Sequence, residues 1–282
     1  PGLISYRESY RFSNYLQLYY KRMINEYLFS VSLATNHFKT DYKDRDDTPV
    51  DDLRDNTNYR DHSYMARSQL QRFFNDGDNI IIGSEISLDQ SRSNVLRNIY
   101  EQPEQRTSAG FAKYRMQLRD DLILDMGMRY DYRDVTGGEG YSIKSFQALS
   151  PKISLIYDMN SSLITNLSYN KGFRAPSISE LFLEYESSYG LLLQGNPTLK
   201  PESLNSIESG FKLQKEGVSY FGNVFFNQYS DMIDFIYTIP VRSVNRETVK
   251  GIGAELGSNL YIDKTKSNFN FTYSYLNLNE GS

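Results

Sequence analysis

The sequence predicts an all-β fold, an antiparallel transmembrane β-barrel of which the chain contains a part. Apolar and polar residues alternate along most of the 282 residues, which is the pattern of strands with one apolar and one polar face. Between Leu122 and Tyr132 the even positions are all apolar or aromatic, whereas Asp125, Gly127 and Arg129 occupy odd positions. The mean hydropathy of −0.57 fits this alternation, because polar residues make up about half of such a strand.

Twelve strands are predicted, and many exceed the roughly ten residues that a tilted strand needs to cross a bilayer. They cover residues 8–21, 26–40, 59–74, 79–91, 106–118, 122–134, 147–157, 162–171, 204–214, 218–230, 248–261 and 266–278. Short turns alternate with long polar connections at 41–58, 92–105, 135–146, 172–203 and 231–247. Outer-membrane barrels have short periplasmic turns and long extracellular loops, so the long connections are predicted to share the extracellular end.

Composition argues against several other classes of protein. The chain has no Cys, and its two histidines, His37 and His62, stand far apart in the sequence, which disfavours a dedicated zinc or iron site. No stretch reaches the roughly 18 apolar residues of a spanning helix. The net charge of −4 and the lack of a basic stripe disfavour nucleic-acid binding. No nucleophile, phosphate-loop or zinc-protease motif is present, so the chain is predicted not to be an enzyme.

Three segments in the second half of the chain form a recognisable series. The first is GFRAPS at 172–177 followed by Glu180 and Leu181, the second is NPTLKPE at 196–202, and the third is VKGIGAEL at 249–256. In this order and separation they resemble the barrel of TonB-dependent outer-membrane receptors. The positions that match the family are Gly172, Phe173, Arg174, Ala175, Pro176, Ser177, Glu180, Leu181, Asn196, Pro197, Leu199, Lys200, Pro201, Glu202, Gly251 and Glu255.

The resemblance implies a receptor for energised uptake of a scarce ligand such as an iron–siderophore, haem, cobalamin or a glycan. It places the chain in the outer membrane of a Gram-negative bacterium, in contact with lipid. Residues 1–282 are expected to supply about 12 of 22 barrel strands. The family's plug domain and coupling box are absent from this chain, so the TonB complex is expected to act through a region that precedes it. The partner is expected to be a small-molecule ligand such as a metal chelate, and no cofactor is predicted.

Two other functions stay open from the residues alone. A passive porin-like channel would have no plug upstream of the barrel, whereas a receptor would. A soluble β-rich protein that binds carbohydrate or protein would use the aromatic residues as its core and would not need detergent.

The matched motif residues are predicted to be structural. Arg174, Glu180, Lys200 and Glu202 carry opposite charges near the two ends of the loop 172–203, so they are expected to pair across its base. The polar alternates of the strands are predicted to face the lumen, where they would contact the plug or water: Glu85, Asp125, Arg129, Asp131, Lys152, Asn166, Asn170, Asn223 and Glu255.

Two further sites are hypotheses. The loop 172–203 holds an unusual apolar run that includes Phe182, Tyr185 and Tyr189, and exposed apolar patches often bind ligands; packing into the barrel mouth is the alternative. The connection 41–58 holds seven aspartates. Carboxylates on a loop could hold Ca²⁺ without the EF-hand spacing, although acidic loops are more often simply solvated. The calcium ligands would come from Asp44, Asp46, Asp47, Asp51 and Asp52.

Overall fold

The computed structural model describes residues 6–45, 56–74, 77–93, 102–137, 143–186 and 192–280. Within these ranges the chain forms one sheet of 14 strands with one short α-helix, so the predicted all-β fold is confirmed. No helix in the described ranges is long and apolar enough to cross a membrane.

The elements are β1 (Tyr6–Ile24), β2 (Tyr27–Arg45), β3 (Asn56–Phe73), β4 (Asn79–Ser93), β5 (Glu104–Arg119), β6 (Leu122–Thr136), β7 (Lys144–Asn160), β8 (Leu163–Arg174), α1 (Ile178–Phe182), β9 (Glu184–Glu186), β10 (Leu192–Gln194), β11 (Glu202–Lys215), β12 (Val218–Ile236), β13 (Val241–Ile262), a 3-10 turn (Asp263–Thr265) and β14 (Ser267–Glu280).

All twelve predicted strands are present, and most extend beyond their predicted ends. The prediction of a long polar loop at 231–247 was wrong, because β12 and β13 continue as a paired hairpin and only Tyr237–Pro240 lies between them. Asp234 and Arg246 pair across the two strands, and Ile233 of β12 packs against a buried hydrophobic cluster. The short strands β9 and β10 were also missed, since three-residue strands leave no periodic signal.

The long strands form an antiparallel meander in which each strand pairs with the next long strand in sequence. Within the described residues β1 and β14 lie at opposite ends of this meander and do not pair with each other. The small hairpin β9–β10 joins through a parallel pairing of Leu193 with Val241 on β13. We call the strands β1–β8 and β11–β14 the wall.

The register gives the wall two chemically different faces, because cross-strand partners share a face and neighbours along a strand do not. One face, the apolar face, is defined by exposed side chains such as Ile82, Ile86, Met128, Leu167 and Val224. The other, the polar face, is defined by the predicted lumen residues, for which the pairings Glu85–Ala109–Asp131 and Asn170–Ser206–Asn227 fix a common side. Apolar exposure on this scale is not tolerated in water and is typical of a lipid-facing barrel surface.

Glycines on the polar face make room for aromatic rings. A side chain at Gly83 would overlap the ring of Phe111, and one at Gly253 would overlap the ring of Phe225. In each case the ring belongs to the directly opposite residue of the adjacent strand, so the glycine is fixed by close approach within the wall.

A small hydrophobic core forms where the loop between β8 and β11 packs against one end of the wall. It contains Val135, Ile178, Leu181, Phe182 and Leu199, with Phe146 and Ile233 packed against it. Pairing between β7 and β8 stops at Lys152 and Asn170, next to Pro151, which has no N–H to continue the ladder. The members of this cluster come from β6, β7, α1, the segment before β11 and β12, at the end of the wall where the long loops lie.

Candidate ligand-binding mouth

A charged clamp closes the base of the loop between β8 and β11. The Arg174 guanidinium donates to both carboxylate oxygens of Glu180 at 2.9 and 3.0 Å and to both of Glu202 at 2.6 and 2.9 Å. Such doubly bidentate pairing uses the planar fork of Arg, which Lys cannot reproduce. Three of the four charges expected to pair are therefore together. The expectation for Lys200 was wrong, because its ammonium instead approaches Asp231 at 3.9 Å.

The clamp also holds the start of α1. Ser177 caps the helix: its hydroxyl accepts from the Glu180 N–H at 3.2 Å, and the Glu180 carboxylate accepts from the Ser177 N–H at 2.7 Å. This reciprocal capping box satisfies two N–H groups that lack helical partners. Burial raises the pKa of Glu180, but the hydrogen bonds from Arg174 and Ser177 outweigh it and leave the pKa below its ordinary value.

The hydrophobic cluster anchors α1 from its other side. Leu181 is 1% exposed and Phe182 is 3% exposed, and Ala175 and Pro176 immediately before the helix are buried as well. Gly195 is required here because a Cβ would overlap the Leu181 carbonyl. The hypothesis that Phe182 contacts a ligand is contradicted, since its ring is used in the core and does not reach the surface. The adjacent apolar residues Leu181 and Phe182 in the sequence could have indicated that this short helix buries one side.

The second matched motif is tied to β12 and β13. The Asn196 amide donates to the Ser243 carbonyl at 2.9 Å, and its oxygen accepts from the Thr198 N–H at 3.0 Å. Asn245 bonds both the N–H and the C=O of Lys200, at 2.8 and 3.0 Å. Leu199 points into the hydrophobic cluster. Sequence reasoning missed Asn245 and Ser243, because nothing in a strand pattern marks a side chain that will bond a distant loop.

The third matched motif lies away from this assembly. Glu255 sits on the polar face of β13, opposite Asn223 and Ser274, nine positions along the strand from Arg246. Gly251 is buried on the same face. We therefore call only the clamp, α1 and the hydrophobic cluster the loop mount.

Three tyrosines lie in the same neighbourhood at the long-loop end of the molecule, two of them on the polar face of β2 and β3. Tyr185 on β9 is half-buried, and both it and Tyr42 lie close enough to Tyr59 to interact with its hydroxyl electrostatically. The Arg11 guanidinium donates to the Tyr42 hydroxyl at 3.2 Å. The predicted Tyr185 is thus joined by Tyr42 and Tyr59, which belong to β2 and β3 far away in sequence. We call Tyr42, Tyr59 and Tyr185 the tyrosine cluster. Tyr189 lies outside the described residues.

Charged residues line the polar face below the cluster. Arg129 bonds Glu85 at 2.8 Å and Asp131 at 2.9 Å, and Arg115 bonds Asp125 at 2.6 and 2.7 Å. An open groove of about 800 Å³ runs past them. It is lined by cationic and aromatic side chains that include Arg67, Phe111, Lys113, Arg129 and Lys152. The register therefore agrees with the prediction that these residues face the lumen. Arg67, which the strand pattern did not single out, lies opposite Glu85 on the same face.

The calcium hypothesis falls mainly outside the described residues. Asp46, Asp47, Asp51 and Asp52 are not described, and Asp44 is described only as backbone at the end of β2. Among the described residues no group of three or more His, Asp or Glu side chains is arranged to hold a metal ion. His37 and His62, although distant in sequence, are cross-strand partners with ring centroids 4.1 Å apart.

The described residues form a β wall with one apolar and one polar face and a loop mount at one end, as in a transmembrane β-barrel. Comparison with known proteins identifies the family. Residues 3–281 match the family described as "TonB dependent receptor-like, beta-barrel". The chain belongs to this family.

Among curated proteins, the chain is 24% identical over 233 residues to hemoglobin-binding protein A of Haemophilus influenzae, which covers 70% of this chain and 22% of that protein. It is 25% identical over 132 residues to the ferrienterobactin receptor of Escherichia coli K12, covering 42% of this chain and 16% of that receptor. The chain therefore spans about a fifth of the length of these relatives.

Solved structures share the fold at low sequence identity. The Serratia marcescens hemophore receptor HasR, solved with its hemophore HasA and heme, superimposes with a TM-score of 0.77 at 15% identity, covering 96% of this chain and 49% of HasR. The siderophore receptor PirA of Pseudomonas aeruginosa gives 0.78 at 12% identity, covering 97% and 51%. The chain thus corresponds to about half of each of these receptor chains.

Proposed function

We propose that the chain is part of the barrel of an outer-membrane receptor that takes up an iron-carrying small molecule, a ferric siderophore or haem, by TonB-energised transport. Family membership supports the receptor class, and the names of the relatives, which refer to hemoglobin and ferrienterobactin, support the ligand class. The observation that carries the proposal is the tyrosine cluster at the long-loop end, on the same side of the sheet as a groove lined by cationic side chains.

The tyrosine cluster suits a flat, partly anionic ligand. Phenol rings offer apolar contact, and their hydroxyls donate or accept hydrogen bonds, while Arg11 beside Tyr42 supplies positive charge. The groove below continues with Arg67, Lys113 and Lys152. A ferric chelate or a haem carries carboxylate or phenolate oxygens that such donors and cations bind. In this proposal the cluster captures the ligand, and the groove forms one side of its route.

The apolar face supports placing the wall in the outer membrane. Its side chains would lie against the lipid of the outer membrane, with the mount and the tyrosine cluster at the extracellular end. The TonB complex would act on a plug encoded outside this chain. In that arrangement the wall is the scaffold, and the mount keeps the ligand-capturing loop in place while the plug moves.

The test is an uptake assay in a strain that lacks the gene, complemented with the full gene product. Ferric catecholate siderophore, haem, cobalamin and a glycan are each supplied as the limiting nutrient, with and without an uncoupler. We expect energy-dependent uptake of one of the two iron compounds. Uptake that persists with the uncoupler would support the passive channel instead, and uptake of neither iron compound would contradict the proposed ligand class.

The site is tested with Tyr59→Ala combined with Tyr185→Ala. Loss of two aromatic contacts is expected to weaken ligand binding by about tenfold or more, since each such contact contributes about 1 kcal/mol. The matched control is Tyr130→Ala, an exposed tyrosine on the apolar face, which should bind ligand like the wild type. Equal membrane levels of all variants, measured by immunoblot, make the comparison valid. If both variants bind equally well, the tyrosine cluster is not the ligand site.

A further inference from the structure

The apolar face of β2–β4 changes character in three successive rows toward the long-loop end. The last row of the apolar stretch joins Thr35, Tyr64 and Leu88 as cross-strand partners. The next row is polar and consists of two imidazoles and an amide: His37, His62 and Gln90. The third row is cationic, with Lys39, Arg60 and Arg92 side by side. We call this third row the cationic row.

The cationic row is unfavourable as it stands. Arg60 and Arg92 are directly opposite each other, where Cβ atoms of partners lie about 5 Å apart and like charges destabilise strand pairing. Both side chains are exposed. Among the described residues, neither guanidinium has an ion-pair or hydrogen-bond partner. A pair of adjacent, unpaired guanidinium groups is the arrangement that binds a doubly coordinated phosphate.

Nearby carboxylates on the same face are already used by other cations. Asp41 pairs with Lys39 at 2.7 Å, and Glu104 pairs with Arg106 while also accepting from Gln90. Lys39 thus retains a charged partner, whereas Arg60 and Arg92 have none among the described residues. The site therefore offers two free guanidinium groups with one lysine beside them.

We propose that the cationic row binds the phosphate group of a membrane lipid in the leaflet that faces the long loops. This inference rests on the proposed membrane setting of the wall. The row lies four residues beyond the last row of the apolar stretch, a rise of about 9 Å for a strand of about 3.3 Å per residue tilted by about 45°. That height falls near the headgroup layer, which extends about 5–7 Å beyond the hydrocarbon core on each side, and flexible Arg side chains cover the difference.

Continuity with the apolar face favours a lipid over free phosphate. A lipid bound at the row would lay its acyl chains along the exposed side chains of Tyr64, Ile82 and Ile86 below it, so binding would combine charge pairing with apolar contact. Inorganic phosphate would use the charges alone. The bound phosphate would relieve the repulsion between Arg60 and Arg92, which explains why two like charges face each other on this part of the wall.

The experiment is native mass spectrometry of the full gene product in a neutral detergent, titrated with phosphatidic acid, with phosphatidylcholine or with inorganic phosphate. The double variant Arg60→Gln and Arg92→Gln is compared with Arg72→Gln. Arg72 is on the same face of β3 at the opposite end, where it approaches Glu26 at 3.9 Å. Wild type and Arg72→Gln are expected to retain phosphatidic acid, and the double variant to bind it about 30-fold more weakly, because each basic residue near an anionic lipid surface contributes about fivefold.

Three results would overturn the proposal: unchanged binding of phosphatidic acid by the double variant, equal loss in Arg72→Gln, or inorganic phosphate that binds as tightly as the lipid. Circular dichroism checks the fold, and Arg60→Lys with Arg92→Lys provides a charge-preserving variant that should retain most of the binding. Failure of this site leaves iron uptake intact, whereas failure of the proposed function leaves lipid binding intact, so the two are separable.

Discussion

The loop mount and the wall of this protein are stabilised in different ways. The mount has a buried core, with Leu181 almost fully enclosed, a capped helix and a clamp of one guanidinium between two carboxylates. The wall keeps its large apolar side chains exposed on one face, as at Leu167, and its polar face carries ion pairs. The mount is therefore built like a small globular protein, whereas the wall depends on strand pairing and on a lipid environment.

The two regions lie in different surroundings. The loop between β8 and β11 extends beyond the paired strands, so it needs a core of its own to stay in place. The wall needs an apolar face that matches lipid. Substitutions of the same type should consequently have different effects in the two regions.

The largest contrast is expected between Leu181→Ala and Leu167→Ala. Truncation at Leu181 leaves a cavity in a closed cluster and should lower the stability of the mount by about 3 kcal/mol. Leu167 is 52% exposed on the apolar face, where lipid chains fill the space, so its truncation should cost less than about 1 kcal/mol. Hydrogen exchange of the Leu181-position amide, which donates to the Ser177 carbonyl at 3.1 Å, measures mount opening in both variants. Equal exchange rates would contradict the comparison.

A smaller effect is expected from Arg174→Ala. This change leaves Glu180 and Glu202 facing each other without a cation, and the loss of the clamp should cost about 2 kcal/mol, reduced from the cost in a dry interior because Arg174 is 45% exposed. The control is Arg119→Ala in the wall, which removes an exposed pair with Asp121 and should cost about 0–1 kcal/mol. Limited proteolysis of the loop 175–201 measures the result. Arg174→Lys should recover part of the protection, since it restores charge without the fork; full recovery would show that geometry is unimportant.

The smallest effect is a pH dependence confined to the mount. The folded pKa of Glu180 lies below its ordinary value because hydrogen bonds from Arg174 and Ser177 outweigh the effect of burial. Its contribution to stability is therefore fully present above the ordinary glutamate pKa and is lost as the pH falls through the lowered folded value. The protection factors of the α1 amides, in which the intrinsic pH dependence of exchange is divided out, should fall over that acidic range and stay constant between pH 6 and about 8.

Glu180→Gln provides the control for the pH dependence. It keeps the shape of the capping side chain but cannot titrate, so most of the acid-induced change in α1 should disappear. A variant that retains the full acid response would assign it to another group.

The sequence predicted the wall well and the mount only in outline. Alternation located every long strand, because each residue's environment there depends on which face it occupies. The motif positions 172–182 and 195–203 identified the family and the charges that meet in the clamp. Lys200 and Phe182 were misassigned, because a loop has no periodicity from which to read which side chain turns inward. The hairpin at 231–247 was missed because apolar and polar residues do not alternate regularly there: Met232 is followed by Ile233, and Phe235 by Ile236.

The tyrosine cluster and the cationic row could not be predicted from the sequence either, because their residues are far apart along the chain. Tyr42, Tyr59 and Tyr185 are ordinary strand and loop residues in the sequence, and only the tertiary structure brings Tyr185 of β9 near the two strand tyrosines. Lys39, Arg60 and Arg92 become neighbours only through the register of β2, β3 and β4.

The sequence by itself determined the all-β class, the strand positions, the two faces and the family, because these follow from local alternation and from contiguous motifs. The tertiary structure decided which residues meet across strands and loops: the partners of Arg174, the burial of Phe182 and the adjacency of Arg60 and Arg92. The physical reason is that register and loop packing depend on contacts between segments far apart in the chain, and no local pattern records them.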